Sequence, residues 1–196
     1  MPSPILLDEQ LLRIALVAVV LSSFGIYGAT NVRREDAAVL TGWFDDRIPF
    51  LPVFSLPYIL YLPYLFFIIA YGILLSPHWA NIAASALAIQ LVAAYVYKMH
   101  QTHVPRPKVT GKDVFSRLTA FIYRHDEPYN CFPSLHVAYS LLCLYWSAYL
   151  FPGAFPAFAV FTAAVVLSTL FIKQHAVADV VSGASITVLT LLIVGI

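Results

Sequence analysis

The chain has 196 residues, 61% of them hydrophobic and only 11% charged, with a net charge of +1. A soluble domain carries roughly 25% charged residues, so this one lacks the polar surface to meet water on every side. The near-neutral balance gives no support for nucleic-acid binding, and residues 1–196 leave no room for a soluble domain beside the apolar segments.

Charge position says more than charge count. No Asp, Glu, Lys or Arg occurs between Arg47 and Lys98, or between Glu127 and Lys173. Each gap holds two spans of about 20 residues, the length that crosses a hydrocarbon core of roughly 30 Å. In chain order the predicted spans are Leu11–Thr30, Phe54–Leu75 (interrupted by Pro63), Trp79–Met99, Ser134–Phe151, Phe155–Ile172 and Val177 to the end. The first run has an acidic front, Asp8 and Glu9, and reads as a retained helix rather than a cleaved signal. Ser76-Pro77-His78 and Pro152-Gly153 supply tight turns. Cys131 and Cys143 have no ligand-like spacing, and one of them falls within a span, so no disulfide is expected.

In the connection between the third and fourth spans, Val114, Phe115, Leu118, Phe121 and Ile122 form one helical stripe, with Thr110 or Asp113 as N-cap. This helix is expected either to lie in the membrane interface or to cap the bundle. The fold class is therefore all-α: a polytopic six-transmembrane-helix bundle with an interfacial amphipathic helix between helices 3 and 4. Residues 31–53, 100–133 and 173–176 then share one face, with every basic residue except Arg13 on it or at its helix ends. Function is sought on that face.

Three clusters there carry chemistry. His175 and Asp179 stand one helical turn apart; a carboxylate on one imidazole nitrogen leaves the other as a basic lone pair. Cys131-Phe132-Pro133-Ser134-Leu135-His136 opens a helix whose free N–H groups, with Ser134, suit an anion. Arg106-Pro107, between Lys98 and Lys108, offers a planar guanidinium fork for phosphate oxygens. Taken singly, each also fits a structural role: an orienting hydrogen bond, a helix start, a membrane anchor.

In order, Arg-Pro, Pro-Ser-x-His and Ser-x6-His-x3-Asp resemble the three motifs of the type-2 phosphatidic-acid phosphatase superfamily, which also includes vanadium haloperoxidases. The second motif has Leu135 in place of its usual glycine, and the third has Thr169 where arginine is expected. Lys173, read as one turn further along the same helical face, is the candidate for the missing charge. Lys98 lies one residue farther from Arg106 than the family pattern places it. Pro-Ser-Leu-His, with the Asp46–Phe54 segment before a span bearing Tyr58, Tyr61 and Tyr64, is similar to inositol phosphorylceramide synthases and their prokaryotic relatives. The three tyrosines either present hydroxyls to a head group or form an interface belt or core stripe.

The resemblance implies a membrane enzyme acting on a lipid phosphate, as phosphatase or as head-group transferase with a polar alcohol such as inositol as acceptor. It implies His175 as nucleophile, Asp179 as its orienting carboxylate and His136 as acid and base. Arg106, Ser134, Lys173 and Lys98 are the implied phosphate ligands. No cofactor is expected; His100 and His103, three residues apart, could bind a metal, but no third ligand is placed nearby, so no metal is expected. Lys and Arg counts place the polar face in the cytoplasm, whereas the resemblance places it outside, and the extracytoplasmic face is the one expected. A transporter or channel using the same groups as a relay is the non-enzymatic alternative.

Overall fold

The computed structural model describes residues 4–194. It contains eight α-helices: α1 (Pro4–Thr30), α2 (Trp43–Arg47), α3 (Ser55–Leu75), α4 (Trp79–Met99), α5 (Val114–His125), α6 (Leu135–Leu150), α7 (Phe155–Phe171) and α8 (Val177–Val194). Five of them, α1, α3, α4, α7 and α8, are long and apolar enough to cross a membrane; α6 is apolar but has only 16 residues. The sequence placed six spans, and each coincides with one of these six helices. The last two residues of the expected sixth span lie outside the described residues.

The length of α6 follows from its place. It is the central helix, packed on α3, α4, α7 and α8, and Ala138, Tyr139, Leu142, Cys143 and Trp146 on it are fully enclosed. At 1.5 Å per residue it is roughly 24 Å long, shorter than the hydrocarbon core. A helix enclosed by its neighbours packs on protein rather than lipid along most of its length. The outer helices instead show apolar side chains outward, including Leu91, Val160, Leu192 and Ile193. An exposed apolar surface of this extent fits lipid and not water.

The two ends of the bundle differ. Arg13 closes one end, donating to the carbonyls of Leu74 and Ser76 at 3.1 and 3.0 Å while pairing with Glu9 at 2.7 Å. These are carbonyls that the end of α3 leaves free. The other end carries the two long connections and the short α7–α8 corner, knitted together. Strands β1 (Ala38–Val39) and β2 (Thr102–His103) pair in parallel, and Leu51 N–H donates to Phe171 O at 2.9 Å.

In α5, Asp113 is the N-cap, accepting from the N–H groups of Phe115 and Ser116. The Ser116 hydroxyl and those N–H groups hold its carboxyl below the usual aspartate range. The apolar stripe is divided: Ile122 is buried with Tyr58 and Ile172, whereas Val114 and Phe121 are exposed. Cys131 and Cys143 are both free and buried.

One close approach sets α8 against α6. A Cβ on Gly183 would lie 2.5 Å from the Ser134 carbonyl oxygen and 3.1 Å from Val137 Cβ. Backbone at that distance cannot rotate away, so Gly183→Ala must push the start of α6 from α8. Overpacking of this kind costs about 1–3 kcal/mol. The substitution is expected to lower both the unfolding temperature in detergent and turnover, because His136 lies on the displaced turn.

Candidate active site

The segment Asn130–Ser134 approaches the bundle at several fixed points. Asn130 adopts a left-handed backbone (φ 53°), a conformation Asn tolerates better than most residues. Its side-chain amide donates to Thr30 Oγ1 at 2.7 Å and to Tyr27 O at 3.2 Å. Phe132 N–H donates to Thr102 Oγ1 at 2.8 Å, Tyr97 donates to Pro133 O at 2.6 Å, and Ser134 N–H to Asp179 O at 3.1 Å. Ser134 then caps α6 through Val137 N–H at 3.4 Å, and His136 follows in the first turn.

The second histidine arrives from the corner between α7 and α8. Here two expectations of helical spacing, Thr169 with Lys173 and His175 with Asp179, each one turn apart, are corrected, because neither pair lies within one continuous helix. Lys173 takes a left-handed backbone (φ 53°), and the N–H groups of Gln174 and His175 both turn back to Thr169 O at 2.9 and 3.0 Å. This is how a helix satisfies its last carbonyls and stops. α8 starts afresh at Val177, where Asp179 accepts from Ala176 N–H at 2.8 Å. His175 therefore precedes the helix. Its side chain still meets Asp179, with Nδ1 at 3.5 Å from Oδ2.

The nearer partner of His175 Nδ1 is the carbonyl of Cys131, at 3.0 Å. A carbonyl only accepts, so Nδ1 carries the proton and Nε2 keeps a free lone pair. Asp179, fully buried, faces the same nitrogen, and its other oxygen has no partner. His175 Nε2 stands 3.4 Å from His136 Nδ1. Tyr58 stacks on His136 (centroids 4.5 Å apart, 26° between planes), and Tyr61 lies across it at 4.8 Å. The tyrosine stripe is thus core: Tyr58, Tyr61 and Tyr64 are all buried, and two of them enclose His136.

Arg106 reaches the same place. It donates to Asp126 O at 2.5 Å and to Gln174 Oε1, and lies over the Tyr123 ring at 4.7 Å, while its Nε–H is buried without a partner. With His175 and Lys173 it lines a polar cavity of about 640 Å³ whose other wall carries Thr41, Asp45 and Asp46. An apolar cleft of about 340 Å³ lies on the far side of the histidine pair, lined by His136, Tyr58, Tyr61, Phe24, Phe121 and Asp126.

The other expected phosphate ligands are placed differently. The Lys173 ammonium lines the polar cavity but is held by the carbonyls of Asp45 and Ile48 at 2.8 and 2.6 Å. Ser134 is fully buried and occupied as a cap. Lys98 is exposed at the end of α4 and lines neither cavity. Sequence reasoning missed the Cys131 carbonyl, Gln174 and Asp126, all brought in by contacts distant along the chain. For a metal, Cys131, His175 and Asp179 place donor atoms within 4.8 Å of one another. Burial pushes the Cys131 thiol up.

A paired histidine site, one imidazole with a free lone pair and an arginine beside it, set in a bundle of membrane-length helices, suits phosphoryl transfer from a membrane substrate. No curated protein and no solved structure gives a significant match. The family model described as the PAP2 superfamily matches residues 37–193, a stretch containing Arg106, His136, His175 and Asp179. The chain therefore belongs to the PAP2 superfamily, a family of phosphatases and phosphotransferases, and is an integral membrane member of it.

Proposed function

We propose that the chain transfers the phosphoryl group of a lipid phosphate ester through a phosphohistidine on His175 Nε2. What carries this reading is the histidine pair, 3.4 Å apart at the meeting of a polar cavity and an apolar cleft. The lipid chains enter by the cleft between α1, α3 and α5, and the phosphate sits beside Arg106.

In the first step the Nε2 lone pair attacks phosphorus and the bond to the lipid oxygen breaks. His136, protonated, gives its proton to that departing oxygen. The Nδ1 proton of His175 stays in its bond to the Cys131 carbonyl, and Asp179 balances the positive charge on the ring. In the second step His136 takes a proton from water or an alcohol, whose oxygen attacks phosphorus and releases His175. Positioned acid–base groups contribute roughly 10²–10⁴ in rate. Two histidines in opposite protonation states give a bell-shaped pH profile. The guanidinium and the N-terminus of α6 stabilise the charge on the phosphoryl oxygens.

In this reading α6 also crosses the membrane, as the fourth of six spans, α5 lies at the membrane boundary beside the lipid entrance, and the polar face is extracytoplasmic. The polar cavity supports a second outcome of the same cycle. With Asp46 and Thr41 on its wall it has room for a hydroxylated acceptor, which takes the phosphoryl group in place of water and makes the enzyme a phosphotransferase; with a lipid phosphodiester as donor the same cycle moves a whole head group.

The test is purified protein with a short-chain phosphatidic acid, with and without inositol, in the presence of EDTA or vanadate. Free phosphate in both arms marks a phosphatase, and inositol monophosphate in the arm with inositol a phosphotransferase. Vanadate is expected to inhibit and EDTA to leave the rate unchanged, because no metal takes part. A rate abolished by EDTA and restored by a divalent ion overturns the metal-free mechanism.

A further inference from the structure

Asp126 belongs to none of the three motifs, yet it joins the phosphate-binding arginine to the acid–base histidine. Its Oδ1 accepts from the Tyr27 hydroxyl and from Asn31 Nδ2, each at 2.9 Å, which ties it to α1. Its Oδ2 accepts from the Tyr58 hydroxyl at 3.2 Å and stands 4.0 Å from Arg106 Nη2. Its backbone carbonyl receives Arg106 Nη1 at 2.5 Å.

The branch toward Tyr58 matters because His136 is otherwise weakly held. Among the described residues its ring makes one hydrogen-bond contact, with His175 itself. That contact must open when a phosphoryl group enters between the two rings. What then fixes the imidazole plane is the aromatic pair around it, and the closer, more nearly parallel member is Tyr58. A phenol ring can rock about its Cα–Cβ and Cβ–Cγ bonds unless its hydroxyl is pinned, and Asp126 is the group that pins it.

We infer that Asp126 is a positioning residue that sets the Arg106 guanidinium and, through the Tyr58 ring, the His136 imidazole. The inference rests on the phosphohistidine reading for its kinetic consequence, but not for its structural one. Misplacement of a catalytic group by a fraction of an ångström lowers turnover without changing what the substrate touches in the ground state.

The experiment compares Tyr58→Phe, Asp126→Asn and the double variant in the full chain, with Tyr64→Phe as control on the same helix. Tyr64 bonds to Thr162 away from the site. Tyr58→Phe is expected to lower kcat about tenfold with KM changed by less than about twofold. Asp126→Asn is expected to lower kcat as much and to raise KM and the vanadate inhibition constant as well, since Arg106 loses a carboxylate neighbour. The double variant is expected to match Asp126→Asn, because both changes cut one connection. Single effects that multiply in the double variant overturn the inference, as does loss confined to thermal stability. A crystal structure of Tyr58→Phe gives an answer independent of turnover: the His136 ring should leave its stacked plane. An unmoved ring refutes the positioning role, whereas a moved ring in a protein without phosphoryl transfer refutes only the proposed function.

Discussion

Replacing His175 by asparagine is expected to abolish phosphate-ester turnover, by roughly 10⁴-fold or more. Asparagine retains a polar group able to donate toward the Cys131 carbonyl, so the corner between α7 and α8 keeps its tie. It has no ring nitrogen to accept a phosphoryl group. The variant should therefore unfold near the wild-type temperature while losing the covalent step. Acid-labile, base-stable phosphoryl label from a radioactive substrate, trapped on the wild-type chain and absent from the variant, is the direct check. Label that persists on the His175→Asn protein sinks the assignment of the nucleophile.

His136→Asn produces a different signature. The acid role of His136 matters in proportion to how poorly the leaving oxygen bears negative charge. With a lipid alcohol as leaving group the loss should be roughly 10²–10⁴-fold. With a nitrophenyl ester, whose phenolate leaves unaided, the first step should proceed while the second still lacks its base. Phosphohistidine should then accumulate, visible as an initial burst of nitrophenol followed by a slow steady state. Equal losses with both esters and no burst would show that His136 acts on something other than the leaving and entering oxygens.

The division of the chain into spans was legible because lipid imposes a simple rule: long stretches without charge, ended by proline, glycine or serine. The N-cap of α5 was legible because capping is decided within three residues. The two histidines that the fold brings together could be picked out because they stand in short motifs of fixed spacing. What could not be read depends on partners far apart in sequence. The carbonyl of Cys131 meets His175 from 44 residues away, and Asp126 gathers Tyr27 and Tyr58 from 99 and 68 residues away. No local pattern marks such contacts. Lys173 misled for another reason: a left-handed residue ends its helix there, a place more often held by glycine. The only trace of Asp126 in the sequence was a carboxylate just past the end of an amphipathic helix.

Lys173 also joins two demands that most proteins divide between different residues. Its main chain supplies the bend that frees His175 from α7, and its ammonium anchors the loop that walls the polar cavity. Glycine there would ease the bend and let the wall go. Isoleucine would forfeit both, since a β-branched side chain resists the left-handed region. The corner is thus a hinge point and a tether in a single residue, so the cavity wall and His175 cannot be repositioned independently.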